Sequence, residues 1–403
     1  MCWLKIKISL SIRFFGWQYP LYWQPETLAT RTSLKRFFRS PAPFTTSCYE
    51  CLINVEKLKP LRNFLIIITT IMGIKGLNKL LTDVCQDVFR HEDMDIFSYQ
   101  KVAVDASLYL CKYKITFGDR VVDAYIDLLV RLREKKIHPV FVFDGISPPE
   151  KDAEKQKRED DRMKQEERIT ALETDMKEYL ETDQPSQELL NQYKKIKNPH
   201  SIVEIDYDEV LAYIEKLKGR VFKIGSEDFA ILKNTLEAFS VPWITAPGEA
   251  EILCAQLCKQ GLVKAVMSSD TDILAAHCPI MIKEISKENQ FICVCFEDVL
   301  KGLKLGPEEF TDLCILCGTD FNKNIPKIGP KNAYKLILKH RRLENIPNDT
   351  SILNFERVRQ LFTHEEWEDL VPFTKPIKYE ELENWLATHN TKMQIDTIRD
   401  RVQ

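Results

Sequence analysis

The sequence predicts an α/β protein with a central, mostly parallel sheet flanked by helices. Two short apolar runs, Lys101–Val104 and Pro139–Phe143, flank the amphipathic stretch Asp123–Lys135, whose Ala124, Ile126, Leu128, Leu129 and Leu132 share a helical face. Strand, helix and strand at this spacing make a parallel unit. A third run, Lys264–Met267, has the same texture. Buried parallel strands read as unbroken apolar runs, and these three do. Each leads to an aspartate at or just past its carboxyl end: Asp105, Asp144 and Asp270. In open parallel sheets that edge is where ligands bind.

The stretch Ala246–Asp272 adds a second layer of carboxylates. Glu249 and Glu251 precede a run with helical spacing (Ile252, Leu253, Ala255, Leu257), and Gly261 ends it. Pro247 suits a first helical turn, so both glutamates are expected in that turn. Asp270 and Asp272 follow the third strand. One helix start and one strand end then aim four negative groups at one point. Such a cluster repels itself unless a cation is bound, and all-oxygen donors suit hard divalent ions such as Mg²⁺. A solvated acidic face is the simpler alternative, and the recurrence at Asp105 and Asp144 weakens it.

The 403 residues suffice for two or three domains, and 44% hydrophobic with 29% charged content reads as soluble and globular. Net charge is −3, yet residues 1–71 hold ten Lys or Arg against three Glu, which leaves the rest strongly acidic. The twelve cysteines have no framework spacing and read as reduced thiols. Cys48-x-x-Cys51 and Cys314-x-x-Cys317 hint at zinc, but neither has a His partner, so burial as small apolar residues is preferred. The longest apolar run, from Phe64 to Met72, is too short to span a bilayer.

Residues 1–71 carry Trp3, Trp17 and Trp23 without a sustained period. They are read as an extension that is disordered or missing from the working protein; mitochondrial targeting, suggested by Arg, Ser and Thr content, is the alternative. Residues 150–199 are almost wholly polar and suggest a solvated helix or a disordered segment. Helices are expected over Asp208–Leu217 and Glu227–Phe239, and strands over Ile280–Ile285 and Gln290–Phe296. Glu308–Cys317, a Gly-bearing hairpin and Asn332–Lys339 form a helix–hairpin–helix. Its Gly329 would offer backbone N–H groups to phosphate, with Lys327 and Lys331 adding charge. Beyond residue 341 only one amphipathic stretch, Glu380–Trp385, stands out.

From Met72 to about Lys339 these motifs, in this order, resemble the flap endonuclease/XPG (Rad2) family of structure-specific 5′ nucleases. They are MGIKGL, VAVDAS with Asp105, FVFDG with Asp144, APGEAE with Glu249 and Glu251, SSDTD with Asp270 and Asp272, LCGTDF with Asp320, and IPKIGPKNA. The resemblance implies a PIN-like sheet, a helical arch over the site, and a helix–hairpin–helix (H2TH-like) element gripping duplex DNA with a monovalent cation such as K⁺. It implies two Mg²⁺ ions, with Mn²⁺ as a substitute, held by all seven acids. Asp144, Glu251, Asp270 and Asp272 are expected nearest the ions, and Asp105, Glu249 and Asp320 through water. DNA contacts are expected from Gly73, Lys151, Lys157, Arg158, Arg162, Lys327, Gly329 and Lys331.

The implied division is an amino-terminal nuclease part at 72–149, an arch with an insertion near 187–225 at 150–240, an internal part at 241–345, and a carboxyl-terminal helical segment at 346–403. A substrate-stacking Tyr of the family falls at Cys111, with Tyr109 and Tyr113 two residues away. No clamp-binding motif is present, so sliding-clamp recruitment is not supported. The expected protein is a monomer without a membrane partner, working on 5′ flap or junction DNA in replication and repair, in the nucleus or wherever the genome is replicated. Two alternatives remain open: a relative acting on bubbles, junctions, duplex ends or RNA, and a non-catalytic DNA-binding scaffold.

Overall fold

A computed structural model of the chain describes residues 10–14, 17–21, 73–182, 184–196, 205–218, 221, 223–285, 290–363 and 367–402. The chain divides into two compact units, Met1–Arg62 and Asn63–Gln403. In the first, β1 (Leu10–Phe14) pairs antiparallel with β2 (Trp17–Leu21). The sequence reading found no strand period here. β-branched and aromatic residues in these two stretches favour strands. The remaining expectations for 1–71 lie outside the described residues.

The second unit is built on seven strands: β3 (Phe89–Asp93), β4 (Lys101–Asp105), β5 (His138–Phe143), β6 (Trp243–Thr245), β7 (Ala265–Met267), β8 (Ile280–Ile285) and β9 (Gln290–Cys295), in the spatial order β3-β9-β8-β7-β4-β5-β6. The run from β8 to β6 is parallel, whereas β9 pairs antiparallel with both β8 and β3. The three strands that lead to aspartates are therefore neighbours at the centre. Ala103, Val140, Val142 and Val266 share a core with Leu253, Leu257 and Leu313. The alternate residues Val102, Val104, Phe141 and Phe143 face the other layer. The edge strands β3 and β6 were not foreseen. An edge needs little apolar content, and FRHED and WIT are too polar or too short to stand out.

The polar stretch after residue 150 is not broken. Asp152–Thr182 is one helix of 31 residues, roughly 46 Å long at 1.5 Å per residue. Its first half buries nothing. Its second half places Ile169, Leu172 and Met176 against Leu189, Tyr193, Ile205, Val210, Ile214 and Leu217. The insertion thus supplies helices Gln187–Ile196 and Tyr207–Lys218, which form a small core on the far end of the long helix. The tail holds three helices where one was expected: Phe355–Leu361, Tyr379–Thr388 and Ile395–Val402. The first and last bury one residue each, Val358 and Ile398, which leaves no period to read. Among the described residues no helix is long and apolar enough to cross a membrane.

Candidate metal centre

The site lies at the carboxyl edge of β7, β4 and β5. Asp105 ends β4 and caps the helix Ala106–Phe117, accepting the Leu108 N–H at 3.0 Å and the Ser268 hydroxyl at 3.0 Å. Asp144 follows β5 and accepts the Ala250 N–H at 2.8 Å and the Ser107 hydroxyl. After β7 the chain turns tightly: Asp270 N–H donates to Ser268 Oγ at 3.0 Å, and Asp272 N–H to Asp270 Oδ1 at 2.8 Å. Asp320 lies just past the helix Pro307–Cys317.

One detail differs from expectation. Pro247 is not in a helical turn; the helix spans Ala250–Lys259 with Glu249 at its cap. The cause is a backbone zipper. Gly145 N–H donates to Gly248 O at 2.8 Å and Ile146 N–H to Pro247 O at 3.1 Å, which holds 246–248 out of the helix. A Cβ on Gly145 would sit 1.9 Å from Ala246 O, so only glycine allows this approach. Glu251 still falls in the first turn.

The structure brings the acids together. Oxygens of Asp144, Glu249 and Glu251 lie within 4.8 Å of one another. Asp105 is pushed up to about 7, first by burial and then by the Asp144 charge, and Asp270 up to about 6, first by burial. Burial also pushes Glu251 and Asp272 well above the carboxylate range; Asp105, Asp144 and Asp270 add to the first, Asp270, Asp320 and Glu249 to the second. Each of the seven acids either shifts another or is shifted by one. Asp272 Oδ1 is buried with no hydrogen-bond partner among the described residues. An orphaned anionic oxygen in an all-oxygen cluster fits a hard divalent cation, which would supply the missing partner and charge.

Of the four candidate cations on the long helix and its foot, two reach the acids. Lys151 bonds Glu249 and lies 3.7 Å from Glu251, and Arg158 meets Asp320 at 2.6 Å. Lys157 instead pairs with Glu154 at 3.5 Å, and Arg162 with Glu159 and Glu166 on its own helix. Lys157 lies about 100° round the helix from Arg158, and Arg162 shares the Arg158 face one turn farther along.

Gly73 takes φ +81°, and a Cβ there would fall 2.3 Å from Asp270 Oδ1. Next to it, Ile74 N–H donates to Thr271 Oγ1 at 2.8 Å and Lys75 N–H to Gly318 O at 3.0 Å. The amino-terminal motif therefore braces the two loops that carry Asp270, Asp272 and Asp320. Sequence reasoning missed Ser107, Ser147 and Ser268, whose hydroxyls donate to Asp144, Glu249 and Asp105, and Thr271, which accepts the Ile74 N–H; the motifs around the acids placed them within reach, but nothing marked their partners. Tyr109 is buried and meets Tyr113 edge-on at 5.6 Å, so it packs in the core. Cys314 and Cys317 are buried as preferred, and Cys48 and Cys51 lie outside the described residues.

In the helix–hairpin–helix, Gly329 caps the helix Pro330–His340, and the space where its Cβ would stand is open. Lys327 is at φ +67°. Lys331 pairs with Asp83 at 3.0 Å while staying 73% exposed.

Two family models match: the XPG N-terminal domain over residues 72–165 and the XPG I-region over 240–320. The probable RAD2-like endonuclease 369L of Invertebrate iridescent virus 6 is 30% identical over 356 residues, 79% of this chain and 86% of that protein. Flap endonuclease 1 of Ostreococcus lucimarinus is 30% identical over 293 residues, covering 68% and 67%. Among solved structures, the catalytic core of Rad2 in complex with DNA substrate aligns with TM-score 0.57 at 17% identity, covering 82% of this chain and 99% of that one. The flap endonuclease-1 from Methanococcus jannaschii aligns at 0.50 and 19%, covering 78% and 95%.

Proposed function

We propose that this chain, which belongs to the XPG/Rad2 family of structure-specific nucleases, hydrolyses DNA phosphodiesters at 5′ flaps and also acts as a 5′–3′ exonuclease in replication and repair. The observation that carries the reading is the meeting of Asp144, Glu249 and Glu251 oxygens within 4.8 Å of one another, with Asp105, Asp270, Asp272 and Asp320 near enough to be coupled electrostatically and an orphaned oxygen on Asp272. Asp144, Glu251, Asp270 and Asp272 would hold two Mg²⁺ ions directly, and Asp105, Glu249 and Asp320 through water. Such ions, when bound, activate water and relieve the leaving oxygen on opposite sides of the phosphorus. The protein's own part is positional. Ser107, Ser268 and the Ala250 and Leu108 N–H groups fix the carboxylate directions. Lys151 and Arg158 balance the acids and stand ready to take phosphate oxygens.

DNA binding would be largely sequence-blind, through phosphates at Gly73, Lys151, Arg158 and the hairpin Lys327–Lys331, with K⁺ as a backbone-bound ion there. Lys157 and Arg162, paired with glutamates of their own helix, would meet DNA farther from the acids. The protein would act as a monomer, without a sliding clamp, at the site of genome replication, with the domain division given above.

The test is a labelled double-flap duplex with Mg²⁺, the cut mapped to a nucleotide, with EDTA and Asp144→Ala as controls. One EDTA-sensitive cut near the junction, lost in Asp144→Ala, is expected. Absence of cleavage would favour the scaffold reading. The helices at 187–218 favour a second reading, a relative for bubbles or junctions, because they enlarge the arch. Faster cleavage of those substrates than of flaps would decide for it.

A further inference from the structure

The long arch helix has no hydrophobic anchor at its foot. From Asp152 to Arg168 it buries no side chain. Yet this half carries Arg158, and Lys151 stands immediately before it. Polar and aromatic contacts from elsewhere must hold them over the carboxylates.

Those contacts come from the tail. Arg357 Nε donates to Glu150 Oε1 at 2.7 Å. Glu150 sits in the single turn Pro149–Lys151 on which the long helix stands. On the other side, Phe362 meets Phe321 edge-on at 5.6 Å, and Lys151 Nζ lies 5.9 Å from the Phe321 ring centre. Phe321 follows Asp320, the partner of Arg158. One short helix with Phe362 thus touches both places where the arch cations meet the acids.

That helix is itself rigidly held. Arg359, two residues from Arg357, makes two bonds of 2.7 Å to Asp312 and bonds of 2.6 and 3.0 Å to Glu344. Asp312 is fully buried on the helix that leads to Asp320. A guanidinium fork on a buried carboxylate fixes direction as well as distance. The Arg357 guanidinium also holds Glu150 below the ordinary carboxylate range.

We propose that Arg357 and Phe362 are positioning residues that set Lys151, and with it Arg158, for the reaction through Glu150 and Phe321. This rests on the reading of Lys151 as a group that meets substrate phosphate. Arg357 is half-exposed and touches no metal-site acid, so its substitution leaves the cluster itself intact.

The test is single-turnover cleavage of a 5′-flap duplex with Mg²⁺ by the full chain, alongside flap binding in EDTA and thermal melting. The variants are Arg357→Ala, Arg357→Lys, Phe362→Leu, Lys151→Ala and the double variant Lys151→Ala/Arg357→Ala. Arg357→Ala should cut about three- to tenfold more slowly with binding and melting unchanged, and Arg357→Lys should recover most of the rate, as for a position that acts on kcat rather than on binding. Phe362→Leu should slow the cut in the same sense. In the Lys151→Ala background, Arg357→Ala should cost less than about twofold, because coupled residues are not additive. Independent, multiplying effects would overturn the proposal. So would a normal rate in Arg357→Ala, or weaker binding with a shallower salt slope and an unchanged bound rate, which marks a phosphate contact instead. A normal rate in Lys151→Ala would remove the reading of Lys151 and this inference with it; a slowed Lys151→Ala beside a normal Arg357→Ala would remove the inference alone.

Discussion

The carboxylate of Asp144 accepts the backbone N–H of Ala250 at 2.8 Å. This bond ties the tip of β5 to the start of the helix that carries Glu251, across 106 residues that include the whole arch. The acid cluster is therefore tied together by a bond that involves no arch residue. The arch then adds cations to a framework already set.

Removal of either central acid should separate chemistry from binding. Asp144→Ala and Asp272→Ala are each expected to lower flap cleavage by roughly 10²–10³-fold or more, as for loss of a transition-state electrostatic group. Flap binding in EDTA should persist, because the proposed phosphate contacts are Lys and Arg side chains and backbone N–H groups rather than these acids. Cleavage assays beside gel-shift titrations check both halves; turnover near that of the wild type in either variant contradicts the assignment.

The raised carboxylates give a pH signature. Asp105 at about 7 and Asp270 at about 6 keep protons in the folded, metal-free protein that the unfolded chain releases near its ordinary 3.8. The stability they contribute is complete below that value and is lost as pH rises through about 6 and 7. Mg²⁺ competes with those protons, so its stabilisation should grow over the same window. Thermal midpoints with and without Mg²⁺, at about pH 5 and about pH 8, should show the larger shift at the higher pH. Asp105→Asn should shrink the difference between the two.

The hairpin should govern duplex binding. Lys327→Ala with Lys331→Ala is expected to weaken binding of duplex-bearing substrates and to flatten the salt dependence by about one unit of slope per lost phosphate contact. Lys331 contributes less than its charge suggests, since it already pairs with Asp83. Binding isotherms over a salt series read this out; an unchanged slope removes the hairpin from the interface.

The tail helix should matter for stability. Arg359→Ala strips the fork from a fully buried Asp312, leaving Arg342 at 3.2 Å and the Leu343 N–H as partners. A loss of about 1.5–3 kcal/mol is expected, as for charged hydrogen bonds. Denaturant unfolding measures it. An Asp312→Asn/Arg359→Met pair should cost less than Arg359→Ala alone, because no buried charge is stranded.

The sequence by itself determined the catalytic layer. Apolar runs ending in Asp105, Asp144 and Asp270 specified a parallel sheet with acids at one edge, and the Glu249/Glu251 spacing set two more at a helix start. These signals are local: strand period, cap chemistry and residue type suffice. It did not disclose β3 and β6, the integrity of the Asp152–Thr182 helix, or the role of the tail. Edge strands need few apolar residues, and the long helix gains its few buried contacts from the inserted helices after it. Only the tertiary structure decided which cations face the acids. Lys151, Lys157, Arg158 and Arg162 look alike in sequence, and the placement of the helix and of the turn before it, where Arg357 bonds Glu150, leaves Lys151 on Glu249 and Arg158 on Asp320.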